Sequence, residues 1–383
     1  MAQASVDTVL QSMAESNVNF AFDMHKTMDA GNIFYSPLSI HVILTLVYFG
    51  AKGERARQIR EGLRLHGNDD VIERGIETTM RELNASDDIL LDIANRIFLK
   101  TGFELRKEFL QSADKFIAGV EQVNFHQSDV ARKTINDWVA KKTHDKIQNL
   151  IPAGVLGGQT LMVLVNAVYF KAEWQKQFNK MNTAPRRFFT DAGPATNVDM
   201  MQIQSKFKYA MRYDLDAQVL ALPYKGNKFI MLVFLPRQAD GLRNLESKLA
   251  ELNLRDVTSN MYKNDVLVFL PKFKMEYKKE LNEPLQQLGM TDMFSELKAN
   301  FTGITRTEPL HVDMVLHKAF IEVGEEGTEA AAATVVSFSS VTSVGGGRSE
   351  QIVFKADHPF LFFILHEQTR LVLFAGRYSS PPP

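Results

Sequence analysis

Residues 317–342 read HKAFIEVGEEGTEAAAATVVSFSSVT, and no other stretch restricts the fold of this chain as much. It opens as a strand. His317, Ala319, Ile321 and Val323 alternate with Lys318, Phe320 and Glu322, a two-residue period with both faces usable. Gly324, the acidic pair Glu325 and Glu326, and Gly327 then interrupt it. Thr328, Glu329, Ala330, Ala331, Ala332, Ala333 and Thr334 follow. Loops are normally built from Pro, Asn, Asp and Gly, and alanine alone favours helix. What this run offers is smallness. As a strand it sets Thr328, Ala330, Ala332 and Thr334 on one face, because successive side chains alternate. Such a face slides beneath a covering layer without overpacking it. As a loose helix in a folded loop the alanines are equally well accommodated, and these residues alone leave both readings open.

The rest of the chain is mixed. Between 5 and 150 apolar positions mostly follow helical spacing, with a strand over 89–98. Ser36 followed by Pro37 makes a helix start, a cap and then a first-turn proline. From 160 onward the pattern predicts strands at 161–170, 217–223, 228–235, 265–271, 314–323, 352–355, 360–365 and 371–376. Helical pieces recur near 242–252 and 279–288. Helices first and strands later indicate the α+β class. Residues 337–350 are small, polar and Gly-rich, and read as an exposed, mobile tether.

Bulk properties exclude more than they decide. A length of 383 residues allows two domains, yet large single domains exist and no internal repeat is present. A net charge of −1 gives no reason to expect nucleic acid or an anionic membrane as partner. The apolar runs 42–49 and 229–235 fall short of the ~18 residues a membrane span needs, and read as core. Catalytic chemistry finds no foothold. There is no G-x-S-x-G, H-E-x-x-H or G-x-x-x-x-G-K-[ST] motif. His366 and Glu367 are followed by Arg370 where a second zinc ligand is required, and without cysteine most structural zinc sites are closed. No cofactor and no metal are expected, and the chain reads as a binding protein rather than an enzyme.

Compartment is read from weaker signs. The first twenty residues lack a basic-then-apolar secretory pattern, and Val6, Val9, Leu10 and Met13 show helical spacing instead. Met1 is either a native start or the replacement for a removed signal. The absence of cysteine suits either compartment. Two glycosylation acceptors, Asn84 with Ser86 and Asn300 with Thr302, favour secretion, with a cytoplasmic location as the alternative.

The 317–342 segment resembles the hinge and reactive-centre loop of the serpins, the inhibitory members in particular. Asn32-Ile-Phe-Tyr-Ser36-Pro37-Leu-Ser39-Ile resembles the family's helix B signature, and Ala94-Asn95-Arg96-Ile-Phe98 follows. Ile135-Asn136-Asp-Trp138-Val139 with Thr143-His-Asp-Lys146-Ile147 resembles helix F. Leu164-Val-Asn166-Ala-Val-Tyr-Phe170-Lys171 with Trp174 resembles the third strand of the main sheet. Leu222-Pro223-Tyr224, Leu270-Pro271-Lys272-Phe273, Asp357-His358-Pro359-Phe360 and Phe374-Ala375-Gly376-Arg377 complete the set. Each string is weak; their order and spacing over nearly the whole chain are specific. Asp145 and Ala375 depart from the family's usual Gly and Met, and Asp tolerates left-handed backbone.

The resemblance implies one serpin domain over 1–383: N-terminal helices on a large central mixed sheet with smaller sheets, and a reactive-centre loop within about 325–350. It implies a metastable monomer that inhibits serine proteases as a suicide substrate, through a covalent acyl complex. Glu325, Gly327, Thr328, Ala330 to Ala333 and Thr334 would form the hinge. Ser36, Ser39, Asn166 and His317 would form the shutter beneath the sheet, a buried hydrogen-bonded network rather than a catalytic triad. Trp174, Lys272 and Glu325 would form the breach at its top, although Lys272 and Glu325 equally suit an exposed ion pair. Fourteen residues on from Gly327 the bait bond falls at Val341–Thr342, which suits an elastase-like protease. Counted back from Pro359, the tether instead favours Arg348–Ser349, a trypsin-like bait, with Phe338 or Ser340 as further candidates. Gly345, Gly346 and Gly347 reconcile the two counts as an insertion after the bond. Arg55, Arg57, Arg60 and Arg64 with Arg74 and Arg81 are interrupted by Glu54, Glu61, Glu73, Glu77 and Glu82, a mixed face that argues against heparin as a partner. The competing class is a non-inhibitory serpin, a carrier or chaperone; charged, bulky or proline residues in the hinge would mark it, and this hinge lacks them.

Overall fold

The structure, a computed structural model, describes residues 5–85, 89–190, 193–328 and 351–381. Among these the chain begins with helices, as the spacing predicts. Val6–His25 is capped by Ser5, whose hydroxyl accepts from the Thr8 N–H, and Asn68 caps Asp69–Asn84 in the same way. Pro37–Gly50 starts at the expected Ser36 cap and first-turn Pro37. All of that helix except Phe49 is buried, so it runs through the core rather than over it.

Two sheets form among the described residues. The first orders Phe273–Glu280, Met314–Val323, Met162–Glu173, Leu90–Lys100 and Gly119–Val123 side by side. Its two central strands, Met162–Glu173 and Met314–Val323, run parallel and pair from Val163 with Met314 to Tyr169 with Phe320. The central strands are apolar on both faces because both faces are covered. Leu164, Val168 and Phe170 enter the main core, whereas Val163, Val165, Tyr169, Leu316 and Phe320 pack under Ala131, Ile135 and Val139 of the Ser128–Lys142 helix. That helix therefore covers this face of the sheet. The second sheet carries Ala217–Pro223, Phe229–Pro236, Phe360–His366 and Val372–Tyr378 in its middle and Ile352–Lys355 at one edge.

The strands at 217–223, 314–323 and 352–355 match expectation to the residue. Thr196–Arg212, Phe273–Glu280, Gly119–Val123, Ala184–Phe188 and Ile33–Tyr35 escaped it. Thr196–Arg212 carries Lys206, Lys208 and Arg212 among its apolar residues, and long stretches of it are half exposed. A strand with no clean buried face has no clean period of two. The helical piece foreseen near 279–288 is shorter, Asn282–Gln287, because Glu280 still ends a strand. Asp145 adopts φ 59°, the left-handed conformation its neighbours' turn requires, and Ala375 is wholly buried.

Candidate functional site: the seam of the central sheet

The seam between the central strands is tied at its middle. Asn95, Asn166 and His317 face one another in register across three adjacent strands. His317 Nδ1 bonds Asn166 Oδ1, and Asn166 Nδ2 donates to Ser39 Oγ and Asn95 Oδ1. Ser39 Oγ donates to Asn95 Oδ1 at 3.2 Å, and Asn95 Nδ2 returns a bond to Ser39 O at 3.2 Å. Ser36 N–H donates to His317 Nε2 at 3.3 Å, and Ser36 Oγ donates to the Leu373 carbonyl at 2.7 Å. A backbone N–H only donates, so Nε2 is the bare nitrogen and Nδ1 carries the proton. Burial lowers the His317 pKa to about 3, and the ring is neutral.

Ser36, Ser39, Asn166 and His317 thus meet as one sealed cluster, each at most 1% exposed. Ser36 gives its hydroxyl proton to a carbonyl rather than to histidine, and substrate has no route to it. Asn95 completes the cluster. Nothing in its strand, which also carries Asp92 and Arg96, separates it from an ordinary polar residue; only its burial and register do.

At its upper end the seam is parted. Gly327 and Thr328 sit between the central strands as a two-residue strand, antiparallel to both. Val323 pairs with Thr328, Thr328 with Ala172, and Gly327 with Glu173. A Cβ on Gly327 would collide with the Ala172 carbonyl oxygen, so only glycine fits there. Thr328 is fully buried, and its hydroxyl lies 2.8 Å from that of Tyr224. Gly324 N–H closes the turn on Gly327 O at 2.9 Å.

Trp174, Lys272 and Glu325 gather beside this opening. Trp174 Nε1 donates to Gly324 O at 2.9 Å, and its ring stacks on Tyr224 with centroids 4.6 Å apart. Lys272 Nζ lies 3.1 Å from Glu325 Oε2, and Thr183 donates to Glu325 Oε1 at 2.9 Å. Glu325 is 5% exposed whereas the Lys272 side chain is 44% exposed, so the pair is buried at its acidic end only and is not the fully exposed ion pair of the alternative. Burial pushes its carboxyl up, but bonds from its own N–H, Thr183 and Lys272 outweigh burial and hold the pKa below the ordinary value. Thr183 carries no sequence signal, and Tyr224 belongs to the Leu222-Pro223-Tyr224 motif without a role assigned; nothing local marks a residue that reaches its partner across a long sequence separation.

The remaining expectations divide by position. Ala330, Ala331, Ala332, Ala333, Thr334, Val341, Thr342, Arg348 and Ser349, and the tether at 337–350, lie outside the described residues. Asn84 is exposed at a helix end, whereas Asn300 is half-buried with its side-chain oxygen Oδ1 accepting from the Thr302 N–H and hydroxyl. Arg57 is paired with Glu54 and Glu61, Arg64 with Asp23, Arg74 with Asp70 and Arg81 with Glu77. Among the described residues no group of three or more His, Asp or Glu side chains could hold a metal, and no helix is long and apolar enough to cross a membrane.

The site is therefore a mechanical one: an α+β protein whose central sheet is tied at its middle and parted at one end. A family model described as Serpin (serine protease inhibitor) matches residues 15–381. Human Serpin B3 is 39% identical, the match covering 97% of this chain and all of the relative. The leukocyte elastase inhibitor of Xenopus laevis is 35% identical over the same 97% and its own full length. Among solved structures, Serpin48 of the insect Tenebrio molitor, described as a highly specific serpin, superposes with a TM-score of 0.88 at 32% identity, covering 97% of this chain and 99% of that one. The chain belongs to the serpin family. Its family role is the inhibition of proteases, not catalysis.

Proposed function

We propose that the protein is a suicide inhibitor of serine proteases that traps its target by inserting residues from Thr328 onward between the central strands. The observation that carries this is the seam itself. The central strands pair directly from 163 to 169, yet part at the top around Gly327 and Thr328. Attack on the loop forms an acyl-enzyme; the freed segment then enters the opening, and the bound protease travels with it. Fourteen strand residues span roughly 45 Å. The bait is Val341–Thr342, supported by the hinge length counted from Gly327 and by an elastase inhibitor among the relatives. Arg348–Ser349 is the alternative, for trypsin-like enzymes.

The inhibitor works as a monomer and as one domain over 1–383. Heparin is disfavoured as a partner, because Arg57, Arg74 and Arg81 of the mixed face are engaged by acids of their own helices. Two locations stand as alternatives: secretion with glycosylation, for which exposed Asn84 and half-buried Asn300 are the acceptors, and the cytoplasm; the intact mass of protein recovered from secreting cells distinguishes them.

The deciding experiment incubates the protein with elastase-like, trypsin-like and chymotrypsin-like proteases. A complex that survives denaturing electrophoresis is expected, with a released peptide beginning at Thr342. A peptide beginning at Ser349 moves the bait to Arg348. Cleavage by every protease with no stable complex removes the inhibitory reading and leaves the carrier class.

A further inference from the structure

The parted end of the seam is held by a closed circuit of contacts. Trp174 Nε1 bonds Gly324 O, the Trp174 ring stacks on Tyr224, and the Tyr224 hydroxyl meets that of Thr328. Both ends of the 324–328 turn are thereby fastened to one aromatic stack. The stack is itself packed from the other side. Phe170 presses edge-on against Tyr224 with centroids 5.4 Å apart, and Tyr224 N–H bonds Phe229 O at 2.9 Å. Tyr224 and Thr328 are both fully buried, so neither hydroxyl has water as a substitute partner.

We propose that the Tyr224 hydroxyl is a positioning post that seats Thr328 in the sheet before any protease arrives, and so sets how often an encounter ends in trapping. The inference rests on the inhibitory reading above. Starting a new strand orders residues before ladder bonds repay the lost freedom. Here that step is complete in the resting molecule. After acylation the loop extends an existing nucleus instead of founding one. Trapping competes with hydrolysis of the acyl bond, so a faster start diverts more complexes into the trap. Without the phenol oxygen, Thr328 would carry a buried hydroxyl with no partner, and the hinge would leave the seam.

The test uses the full chain. Tyr224→Phe keeps the ring stack and removes one oxygen. Two quantities are read: amide hydrogen exchange of the peptide spanning 324–328 in the free protein, and moles of inhibitor consumed per mole of a serine protease the parent traps. Exchange should quicken about tenfold, the equivalent of one lost buried hydrogen bond. Consumption should rise roughly twofold or more as insertion loses its head start. Thr328→Val should act likewise. The double variant Tyr224→Phe/Thr328→Val is apolar on both sides and should regain part of the protection, since removing both partners costs less than removing one. Parental exchange or parental consumption in Tyr224→Phe overturns the proposal, as does a double variant worse than either single. A parent that traps none of the proteases removes the inhibitory reading on its own, and the exchange measurement then still decides whether Tyr224 seats the hinge.

Discussion

His317 and His41 are both wholly buried, and burial keeps each imidazole neutral. The His317 pKa falls to about 3 and that of His41 to about 4, the latter despite a bond to the Leu63 carbonyl. An unfolded chain would protonate both near 6.5. Above that pH neither state binds the proton and folding is unaffected. Between about 6.5 and 4 the unfolded state takes up protons that the fold refuses, so stability falls as pH falls, by up to about 1.4 kcal/mol per pH unit per histidine. His41→Gln keeps a donor for the Leu63 carbonyl and removes one such site. Proton uptake on unfolding in urea at pH 5.5, followed by pH-stat, should drop by about one proton in this variant. Equal uptake would mean that His41 is already charged in the fold. Single residues such as these were only half legible. The resemblance grouped Ser36, Ser39, Asn166 and His317, but Asn95 joins them only because strand register sets it opposite Asn166.

At the scale of elements, the hinge is the part most exposed to a single change. Thr328 is fully buried inside the sheet with its hydroxyl against that of Tyr224. Thr328→Arg would bury a cation without a partner, which costs several kcal/mol, or about a thousandfold or more in the balance between seated and expelled hinge. The fold away from the seam does not depend on this residue. We expect Thr328→Arg to express and to be cleaved by the target at the parent's rate, but as a substrate, leaving active protease behind. Residual protease activity after mixing at equal concentrations measures this. Trapping as complete as the parent's would show that insertion does not pass through Thr328. The hinge's small residues were plain in the sequence, since smallness is a property of the residues themselves. That the seam is already parted at Thr328 was not, because it depends on where Glu173, Ala172 and Val323 stand.

On the mechanism proposed above, the whole molecule is unfinished: a central parallel pair that accepts a further strand would leave ladder bonds and apolar burial unrealised in the resting state, which a kinetic barrier would then hold. At ~1 kcal/mol net per hydrogen bond, completing the ladder on both sides is worth on the order of 20 kcal/mol. Cleavage within the loop should therefore raise Tm, on the order of 20 °C for a chain of this size. Scanning calorimetry before and after loop cleavage checks it, and an unchanged Tm would point to a sheet that does not take up its loop. The sequence by itself determined the α+β class, the strands with a clean period, the small-residue hinge and the family, because these depend on residue type and order along the chain. Tertiary structure alone decided that Asn95 completes the polar cluster, that Glu325 is buried, and that Tyr224 meets Thr328. Those contacts join residues far apart in sequence, and their geometry follows from strand register and from the way helix and sheets close on one another, which no local pattern encodes.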